Sequence, residues 1–379
     1  MRIKSFIRSN PVFVIAGAAA LVSMLIVPPC PAYASYIDWR TIQLLCCQLL
    51  SVQGLMRSGV FSDISGLILK RASTSRSLCA LLIFLCFFVS MLVTNDVSLI
   101  SFVPLTILAL SRTGISDLLI RTLVLETIAA NLGSMFTPFG NPQNPYLFNL
   151  SGLSGLQFLI LLAPYTLLSL ALIAGSVFLI PARKLEMGAG AQKKAEEGRG
   201  SKSKRRRALR LASACLLTLC ILVVFHLGNA FFLLILSAAV YAVLDRKVLT
   251  GVNYILPLTF IEFFILTGNI QALPGFSQTL SRIIGGRELV TAVLTSQVIS
   301  NVPAAMLLSS FTGNIRALIL GTDIGGLGTL IASMASLISF QFYGTSRDAR
   351  PGKYLAVFTL YNGIFLAALL ILAAAAGAL

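Results

Sequence analysis

Small polar residues that could bind an ion or a solute interrupt the apolar sequence at two similar places. Thr94-Asn95-Asp96 divides the apolar segment 78–110, and Ser300-Asn301-Val302 divides the segment 288–320. An ionisable group inside segments this apolar costs free energy, and such groups usually have a function. The amides at the centre of both triplets can donate and accept hydrogen bonds, so they could hold a loop or contact a carboxylate.

Two acidic residues are the best candidates for binding a cation or a proton. Asp96 ends the first triplet, and Asp323 follows the second apolar segment. Hard cations favour oxygen ligands, so the coupling ion would be Na⁺ or H⁺, and we expect Na⁺ near Asn95, Asp96, Asn301 and Asp323. Structural roles remain open for both acids. Asp96 could clamp its hairpin, and Asp323 could be the N-cap of the helix that it begins.

Two further stretches should break membrane-embedded helices. Gly140-Asn141-Pro142-Gln143-Asn144-Pro145 cannot continue an α-helix, because proline lacks the N–H donor and clashes with the preceding turn. We expect the helix that begins at Asp117 to stop near Thr137 and to resume after Pro145. The small residues of 328–336 predict a similar break in the second half. Carbonyls freed by a break could coordinate Na⁺, and N–H groups freed at a helix start could bind an anion.

The predicted substrate- and ion-binding residues belong to the triplets, to the breaks and to the turns just before the breaks. They are Thr94, Asn95, Asp96, Asn131, Gly133, Thr137, Gly140, Asn141, Gln143, Asn144, Ser300, Asn301, Asp323, Gly325, Thr329, Ser333 and Ser336. Glu126 and Glu262 also lie in apolar segments and are candidate proton or ion relays. Glu126 could line the same cavity or pair with Arg121. We expect the single histidine, His226, to be interfacial.

The sequence lacks the residue patterns of common enzymes and of ATP-driven pumps. It has no Ser/His/Asp arrangement, no metal-binding pair of histidines, no Walker loop and no dinucleotide fingerprint. Its seven cysteines lie mainly in apolar segments, without metal-ligand spacing. We therefore expect neither enzymatic activity nor an organic cofactor.

The composition is that of an integral membrane protein. Hydrophobic residues make up 57% and charged residues 11% of the 379 positions. Soluble domains contain about 25% charged residues. The formal net charge of +16 would suggest nucleic-acid binding in a soluble protein. A bias of basic residues toward cytoplasmic loops explains it better here, so no nucleic-acid partner is expected.

The apolar segments predict an all-α integral membrane protein with about nine spans and two re-entrant hairpins, 78–110 and 288–320. The spans are 11–28, 40–57, 117–150 (broken), 155–180, 209–227, 229–246, 252–268, 323–344 (broken) and 355–378. With these spans, the basic residues lie on the cytoplasmic side of the membrane, apart from Arg40, Arg282, Arg287 and Arg316. This distribution predicts a plasma (inner) membrane protein with its N-terminus in the cytoplasm and its C-terminus outside.

The first span could instead be a signal peptide, because Ala32-Tyr33-Ala34 resembles a cleavage site. Its apolar run, 11–27, is longer than the usual hydrophobic region of a signal peptide. The segment 229–246 also needs a counterpart in the first half, and only 11–28 can serve. We therefore expect the first span to be retained.

The two halves of the chain resemble each other. At an offset of 192 residues, 131–144 aligns with 323–336, which pairs Gly133 with Gly325, Thr137 with Thr329 and Asn144 with Ser336. The predicted organisation is a first repeat (1–180), a basic linker (181–208), a connecting span (209–228) and a second repeat (229–379). The repeats are inverted in the membrane, as in secondary transporters whose site lies at the repeat interface.

These motifs resemble the ion transporter superfamily, in its citrate-transporter-like and arsenite-permease-like branch, which is related to the divalent anion–sodium symporters. The resemblance rests on the two triplets and on 131–144 and 323–336, and so covers most of the chain. It implies a scaffold and a transport domain, frequent homodimers and an elevator-like motion. Sodium–dicarboxylate relatives carry Ser-Asn-Thr at both hairpin tips. Asn95 and Asn301 match that motif, whereas its final Thr is absent from both tips.

The sequence therefore predicts a secondary active transporter of a small anionic, carboxylate-like solute, coupled to Na⁺ or H⁺. Two alternatives remain open. One is a Na⁺/H⁺ antiporter or an arsenite or oxyanion exporter of the same fold, in which Asp96 exchanges cations or protons. The other, from a different functional class, is an ion channel.

Overall fold

The computed structural model describes residues 11–61, 63–64, 71–185, 203–346 and 349–378. Those residues form α-helices and one 3₁₀ helix, and they contain no β-strand beyond a single bridge between Thr74 and Lys184. Most of the predicted basic linker lies outside the described residues, as do the basic residues that precede the first span.

The first half of the chain contains eight of the described α-helices, and several begin at side-chain caps. Asp38 accepts a hydrogen bond from the Thr41 amide, and Thr74 and Ser154 form capping boxes. The helices are α1 (Pro11–Ile26), α2 (Tyr33–Tyr36), α3 (Trp39–Ser58), α4 (Ser75–Ser90), α5 (Asn95–Arg112), α6 (Leu119–Ser134), α7 (Gln143–Ser151) and α8 (Gly155–Phe178), with the 3₁₀ helix Ser116–Leu118 before α6.

The second half contains ten described helices. They are α9 (Ser203–Val224), α10 (Ala230–Leu244), α11 (Arg246–Gly251), α12 (Ile255–Gln271), α13 (Pro274–Ile284), α14 (Glu288–Ile299), α15 (Asn301–Ser309), α16 (Ile315–Ile324), α17 (Met334–Gly344) and α18 (Pro351–Ala375). The short helices α2, α11 and α13 were not predicted.

The predicted boundary between the second hairpin and the second broken helix is wrong. The hairpin ends at Ser309 rather than at residue 320, and the broken helix begins at Ile315 rather than at Asp323. The reason is a turn at 310–314, where the Asn314 side chain accepts a hydrogen bond from the Ala317 amide and caps α16. Asp323 therefore lies in the last turn of α16, and its predicted N-cap role is also wrong.

The first broken helix also differs slightly from the prediction. It stops at Ser134, close to the predicted Thr137, but resumes at Gln143 rather than after Pro145. Pro145 is tolerated in the first turn of α7, because the N–H groups of a first turn have no intrahelical acceptor.

Several helices of the first half pack against helices of the second half, and these pairs form two layers. In one layer, α1 packs on α12 and α10 packs on α3, which also contacts α9. In the other layer, α4 packs on α6 and α14 on α16, while α5 contacts α17 and α15 contacts α7. The helix breaks lie inside this second layer, where α6 is buried along nearly its whole length.

The outer surface is strongly apolar, as in a helical membrane protein. Leu25 and Val243 are 84% and 85% exposed, respectively. Among the described residues, three helices are long and apolar enough to cross a membrane: Gly155–Phe178, Lys204–Val224 and Pro351–Ala375. The remaining apolar helices are shorter, so the count of nine spans stays a prediction.

Candidate functional site

The two helix breaks, 135–142 and 325–333, have matching backbone hydrogen bonds. The Gly140 amide donates to the Thr137 carbonyl at 3.2 Å, and the Ala332 amide donates to the Thr329 carbonyl at 3.2 Å. The Asn144-to-Asn141 bond of 3.2 Å likewise matches the Ser336-to-Ser333 bond of 3.1 Å. Each matched pair is separated by 192 residues, the offset that the sequence alignment predicts. The breaks therefore share two hydrogen-bonded turns at equivalent positions.

Each hairpin tip is attached to the break of its own half. The Asn95 amide donates to the Gly140 carbonyl at 3.2 Å, and the Asn301 amide donates to the Ala332 carbonyl at 2.9 Å. In both residues, the side-chain oxygen accepts a hydrogen bond from the next backbone amide. Asn95 and Asn301 thus have the same structural role, and they place the N-termini of α5 and α15 beside the breaks.

Side chains also connect the two halves across the centre. Asp323 Oδ1 accepts hydrogen bonds from Asn141 Nδ2 at 2.8 Å and from Gln143 Nε2 at 3.1 Å. At the matching position of the first half, Asn131 Oδ1 accepts from Ser333 Oγ and from Asn95 Nδ2, both at 2.9 Å. All of these residues are buried. The same cross-contact is therefore built twice, once around a carboxylate and once around an amide.

Several buried polar atoms at this centre have no hydrogen-bond partner among the described residues. The oxygens are Asp323 Oδ2, Gln143 Oε1, Asn144 Oδ1 and Ser336 Oγ, and the one nitrogen is Asn131 Nδ2. Buried polar atoms are rarely left unpaired in proteins. Asp323, Gln143 and Asn144 are in mutual contact at Asp323, and carboxylate and amide oxygens are ligands that hard cations favour, so these three fit a cation such as Na⁺. We call Asp323 Oδ2, Gln143 Oε1 and Asn144 Oδ1 the central oxygen cluster.

Two predicted site residues support the breaks through their side-chain hydroxyls. The hydroxyls of Thr137 and Thr329 donate to the Met91 carbonyl at 2.7 Å and to the Gln297 carbonyl at 3.0 Å. They tie each break to the first arm of its hairpin.

The predicted glycines mark close helix contacts. A Cβ atom at Gly133 would overlap the Phe87 carbonyl, one at Gly140 would overlap the Ser134 carbonyl, and one at Gly325 would lie 2.8 Å from Ser296 Oγ. These positions allow backbones to approach closely, which is a common use of glycine.

A cavity of about 370 Å³ lies beside the tips, between the two layers of helices. Thr94, Asp96 and Pro303 line it from the hairpins, and Gln53 and Thr259 line it from α3 and α12. Asp96 is the only charged side chain among the described residues that line the cavity. Its carboxylate makes no hydrogen bond to those residues, so nothing supports the alternative role as a hairpin clamp.

The structure places Glu126 and Glu262 away from this cluster. Glu126 lies inside the layer of α5 and α6, where it accepts a hydrogen bond from the Thr106 hydroxyl. Glu262 lies on α12, and an added Cβ at Gly17 of α1 would be 2.8 Å from its Oε1. The suggested partner of Glu126, Arg121, instead donates to carbonyls at the end of α8.

His226 lies in the turn between α9 and α10, with a φ of 64° and its ring 6.1 Å from that of Phe148. Burial, together with the nearby Arg40 guanidinium, lowers the pKa of His226. This position outside the helices agrees with the interfacial role predicted for it.

Sequence reasoning missed two glutamines that hold the breaks. Gln48 of α3 donates from Nε2 to the Phe139 carbonyl at 2.6 Å. Gln297 of α14 donates to the Gly325 and Leu327 carbonyls and accepts from the Thr329 amide. Each is a glutamine within an apolar segment. A polar amide in such a segment could have indicated a structural or functional role.

Comparison with known proteins agrees with this architecture. The model of the citrate transporter family matches residues 3–315. The chain is 31% identical to the inner membrane protein YbiR of Escherichia coli K12 over 324 residues, 83% of each chain. It is 33% identical to an uncharacterized transporter of Methanocaldococcus jannaschii over 326 residues, 85% of each chain. An uncharacterized transporter of Mycobacterium tuberculosis is 27% identical over 337 residues, which are 80% of this chain and 78% of the relative.

These similarities extend over nearly the whole chain and include the hairpins and the first break. They confirm the resemblance that the two triplets and the break sequences carry. They also agree with the absence of a catalytic residue set from the sequence. The chain belongs to the citrate transporter family, and it is a membrane transport protein rather than an enzyme.

Proposed function

We propose that the protein is a secondary active transporter that moves a small anionic, carboxylate-like solute together with Na⁺ or H⁺. The observation that carries this proposal is the central oxygen cluster around Asp323. Its buried carboxylate is held by Asn141 and Gln143, and no basic side chain among the described residues forms an ion pair with it. An ionised carboxylate buried in this way needs a cation or a proton.

The matched contacts of the two halves support an inverted repeat with re-entrant hairpins. Equivalent hydrogen bonds recur at an offset of 192 residues, and α1 with α12 repeats the contact of α10 with α3. In secondary transporters of this design, discontinuous helices place their free ends at the site near the bilayer midplane. The nine-span topology, with a cytoplasmic N-terminus and an outside C-terminus in the plasma (inner) membrane, belongs to the same proposal.

A cation at Asp323 would couple the two fluxes electrostatically. It would cancel the local negative charge, and an anion could then approach the positive helix N-termini of α5 and α15. The adjacent cavity, at about 370 Å³, is of a size that holds a small solute.

The cavity also suggests which state the molecule occupies. It is lined by the start of α1 and by the end of α3, which the proposed topology places on the cytoplasmic side. We therefore assign it to the inward-facing state of an elevator-like cycle in which the second helix layer moves. The first layer would be the static scaffold, and also the surface available for a homodimer.

One observation favours a second candidate function. Asp96 is the only charge among the described lining residues, and a carboxylate without a nearby base repels an anion. A Na⁺/H⁺ antiporter, or an exporter of arsenite or another oxyanion, would place a cation, a proton or an uncharged acid there instead.

Transport assays in proteoliposomes test the proposal. Labelled citrate should accumulate inside when a Na⁺ or pH gradient is imposed, and its uptake should saturate with concentration. A Na⁺-driven change of internal pH without any organic solute would favour the antiporter. Linear, non-saturating flux would indicate a channel and would contradict both.

A further inference from the structure

A second buried acid lies in a polar network that the central oxygen cluster does not use. Glu126 of α6 has no exposed surface, and its Oε1 accepts a hydrogen bond from the Thr106 hydroxyl of α5. Its Oε2 has no partner in the described part of the chain. Glu126 is therefore bound by one neutral donor on one of its two oxygens.

No positive charge compensates this carboxyl group. The titratable groups that face it are Cys79 and Cys86 from α4 and Tyr354 from α18. The basic side chain next to it on α6, Arg121, is directed toward the end of α8. An ionised carboxylate buried without a counter-charge costs several kilocalories per mole, so the group should carry a proton in this state.

A group of buried hydroxyls lies near this acid, between α6, α17 and α18. The Tyr354 hydroxyl lies 3.1 Å from Ser339 Oγ and also approaches Thr127, the residue after Glu126. The Tyr354 ring stacks on Tyr343 at 4.9 Å, and the Tyr343 hydroxyl accepts from the Arg350 amide just before α18. Tyr354, Ser339 and Thr127 are fully buried and form a polar group in an otherwise apolar layer, which we call the hydroxyl cluster.

The second half has no counterpart of this acid. The residue 192 positions after Glu126 is Leu318, which is fully buried and apolar. If position 126 of α6 served only for packing, leucine could fill it, as Leu318 does at the equivalent position of α16. Its presence in one copy points to a task that the cycle requires once.

We propose that Glu126 binds and releases a proton during transport, at a site separate from the central oxygen cluster and beside the hydroxyl cluster. The inference rests on the proposed function, because it counts this proton in the transport cycle. The step is a simple ionisation: when a water molecule reaches the site during the cycle, the carboxylic acid gives it the proton and becomes a carboxylate, and the reverse step reloads the acid.

Infrared difference spectroscopy of the whole protein in lipid vesicles tests the inference without any solute. A pH change should alter a carboxylic-acid C=O band that is lost in Glu126→Gln and kept in the matched control Glu262→Gln. Thr106→Val should shift the same band, because it removes the hydrogen bond to the carbonyl oxygen. A pH-dependent band that is unchanged in Glu126→Gln, or that Thr106→Val leaves unshifted, would overturn the proposal.

Citrate transport adds a functional test. A gradient of one pH unit supports accumulation of up to about tenfold per coupled proton. Glu126→Gln, which mimics the protonated acid, should reduce pH-driven accumulation to equilibration while citrate exchange across the membrane continues. Wild-type accumulation in this variant would contradict the inference. If wild-type protein transports no citrate, the proposed substrate class fails, whereas the spectroscopic result on Glu126 stands independently.

Discussion

The two helix breaks share two backbone hydrogen bonds at equivalent positions and differ in charge. Asn131 with Ser333 and Asp323 with Asn141 make the same cross-contact at equivalent positions, yet only one of the two pairs contains a carboxylate. The backbone hydrogen bonds around them agree to within about 0.1 Å in the pairs at the breaks. Under the proposed function, the matched turns would supply the framework for two half-sites, and the single carboxylate would decide which of them binds a cation.

The largest expected effect comes from making the two half-sites alike. Asp323→Asn replaces the carboxylate by an amide, as at Asn131, and removes a charged cation ligand. Contacts to charged groups contribute about 1.5–3 kcal/mol, so Na⁺ affinity should fall by about 10- to 100-fold. The Na⁺-dependent rise in melting temperature measures this loss, because a ligand stabilises the state that binds it.

The reciprocal variant Asn131→Asp is the matched control for that change. It should add a second cation dependence without removing the first. Retention of the full Na⁺-induced shift in Asp323→Asn would disprove the assignment of the cation to this half.

The close helix contacts should tolerate substitution differently in the two halves. Gly133→Ala would push a Cβ into the Phe87 backbone carbonyl, whereas at Gly325 the Cβ would lie 2.7 Å from the Gly321 carbonyl and 2.8 Å from Ser296 Oγ, which is a smaller overlap. Overpacking costs about 1–3 kcal/mol, and we expect Gly133→Ala to be the more destabilising. Thermal unfolding in detergent measures both.

Gly175 of α8 provides the control for this pair, since an added Cβ would meet no atom within 4 Å. Gly175→Ala should stabilise slightly, by about 0.5–1 kcal/mol, because alanine favours a helix interior over glycine. An equal loss of stability in all three variants would argue against a specific close contact.

Substitutions at the two hairpin tips should have different effects on stability and on transport. Asn95 donates to Asn131 Oδ1, whereas Asn301 Nδ2 makes no hydrogen bond among the described residues. Both variants lose the hydrogen bond from the next backbone amide, so Asn95→Ala should lower stability by about 1 kcal/mol more than Asn301→Ala. Asn95→Ala should also lower uptake, whereas Asn301→Ala should abolish it. Normal citrate uptake in both variants would refute the site assignment.

The smallest expected effect concerns the threonines that tie each break to its hairpin. Thr137→Val removes a buried hydrogen bond and should cost about 1 kcal/mol. Thr329 is exposed, and Gln297 also holds its loop, so Thr329→Val should cost only a few tenths. Thr218→Val, on an exposed face of α9, is the control. A larger loss at Thr329 than at Thr137 would show that the second break depends on its threonine alone.

Much of this site was predictable from local chemistry. Paired prolines and glycines locate a helix break wherever they occur, and the offset of 192 residues matched Thr137 with Thr329 before any contact was known. The resemblance to the citrate transporter branch followed from the same residues. These features depend on sequence order alone.

Other features depend on three-dimensional packing and could not be predicted. The partnership of Asp323 with Asn141 joins residues 182 positions apart. The start of α16 was misplaced because the apolar residues on both sides of the turn at 310–314 form one continuous hydrophobic pattern. The sequence also could not distinguish a glycine that binds a solute from Gly133, which allows two helices to approach.

The hydrogen bond from Gln48 to Phe139 affects any sliding of the two helix layers past each other. It joins α3 of the first helix layer to the first break in the second layer, so sliding of one layer past the other must break it. A buried hydrogen bond contributes about 1 kcal/mol net, which changes the ratio of two conformations by about fivefold. In the proposed elevator-like cycle, this single amide would favour the state in which the cavity at Asp96 is formed. Evolution could adjust the turnover of this protein at position 48 without altering any residue that binds the cargo.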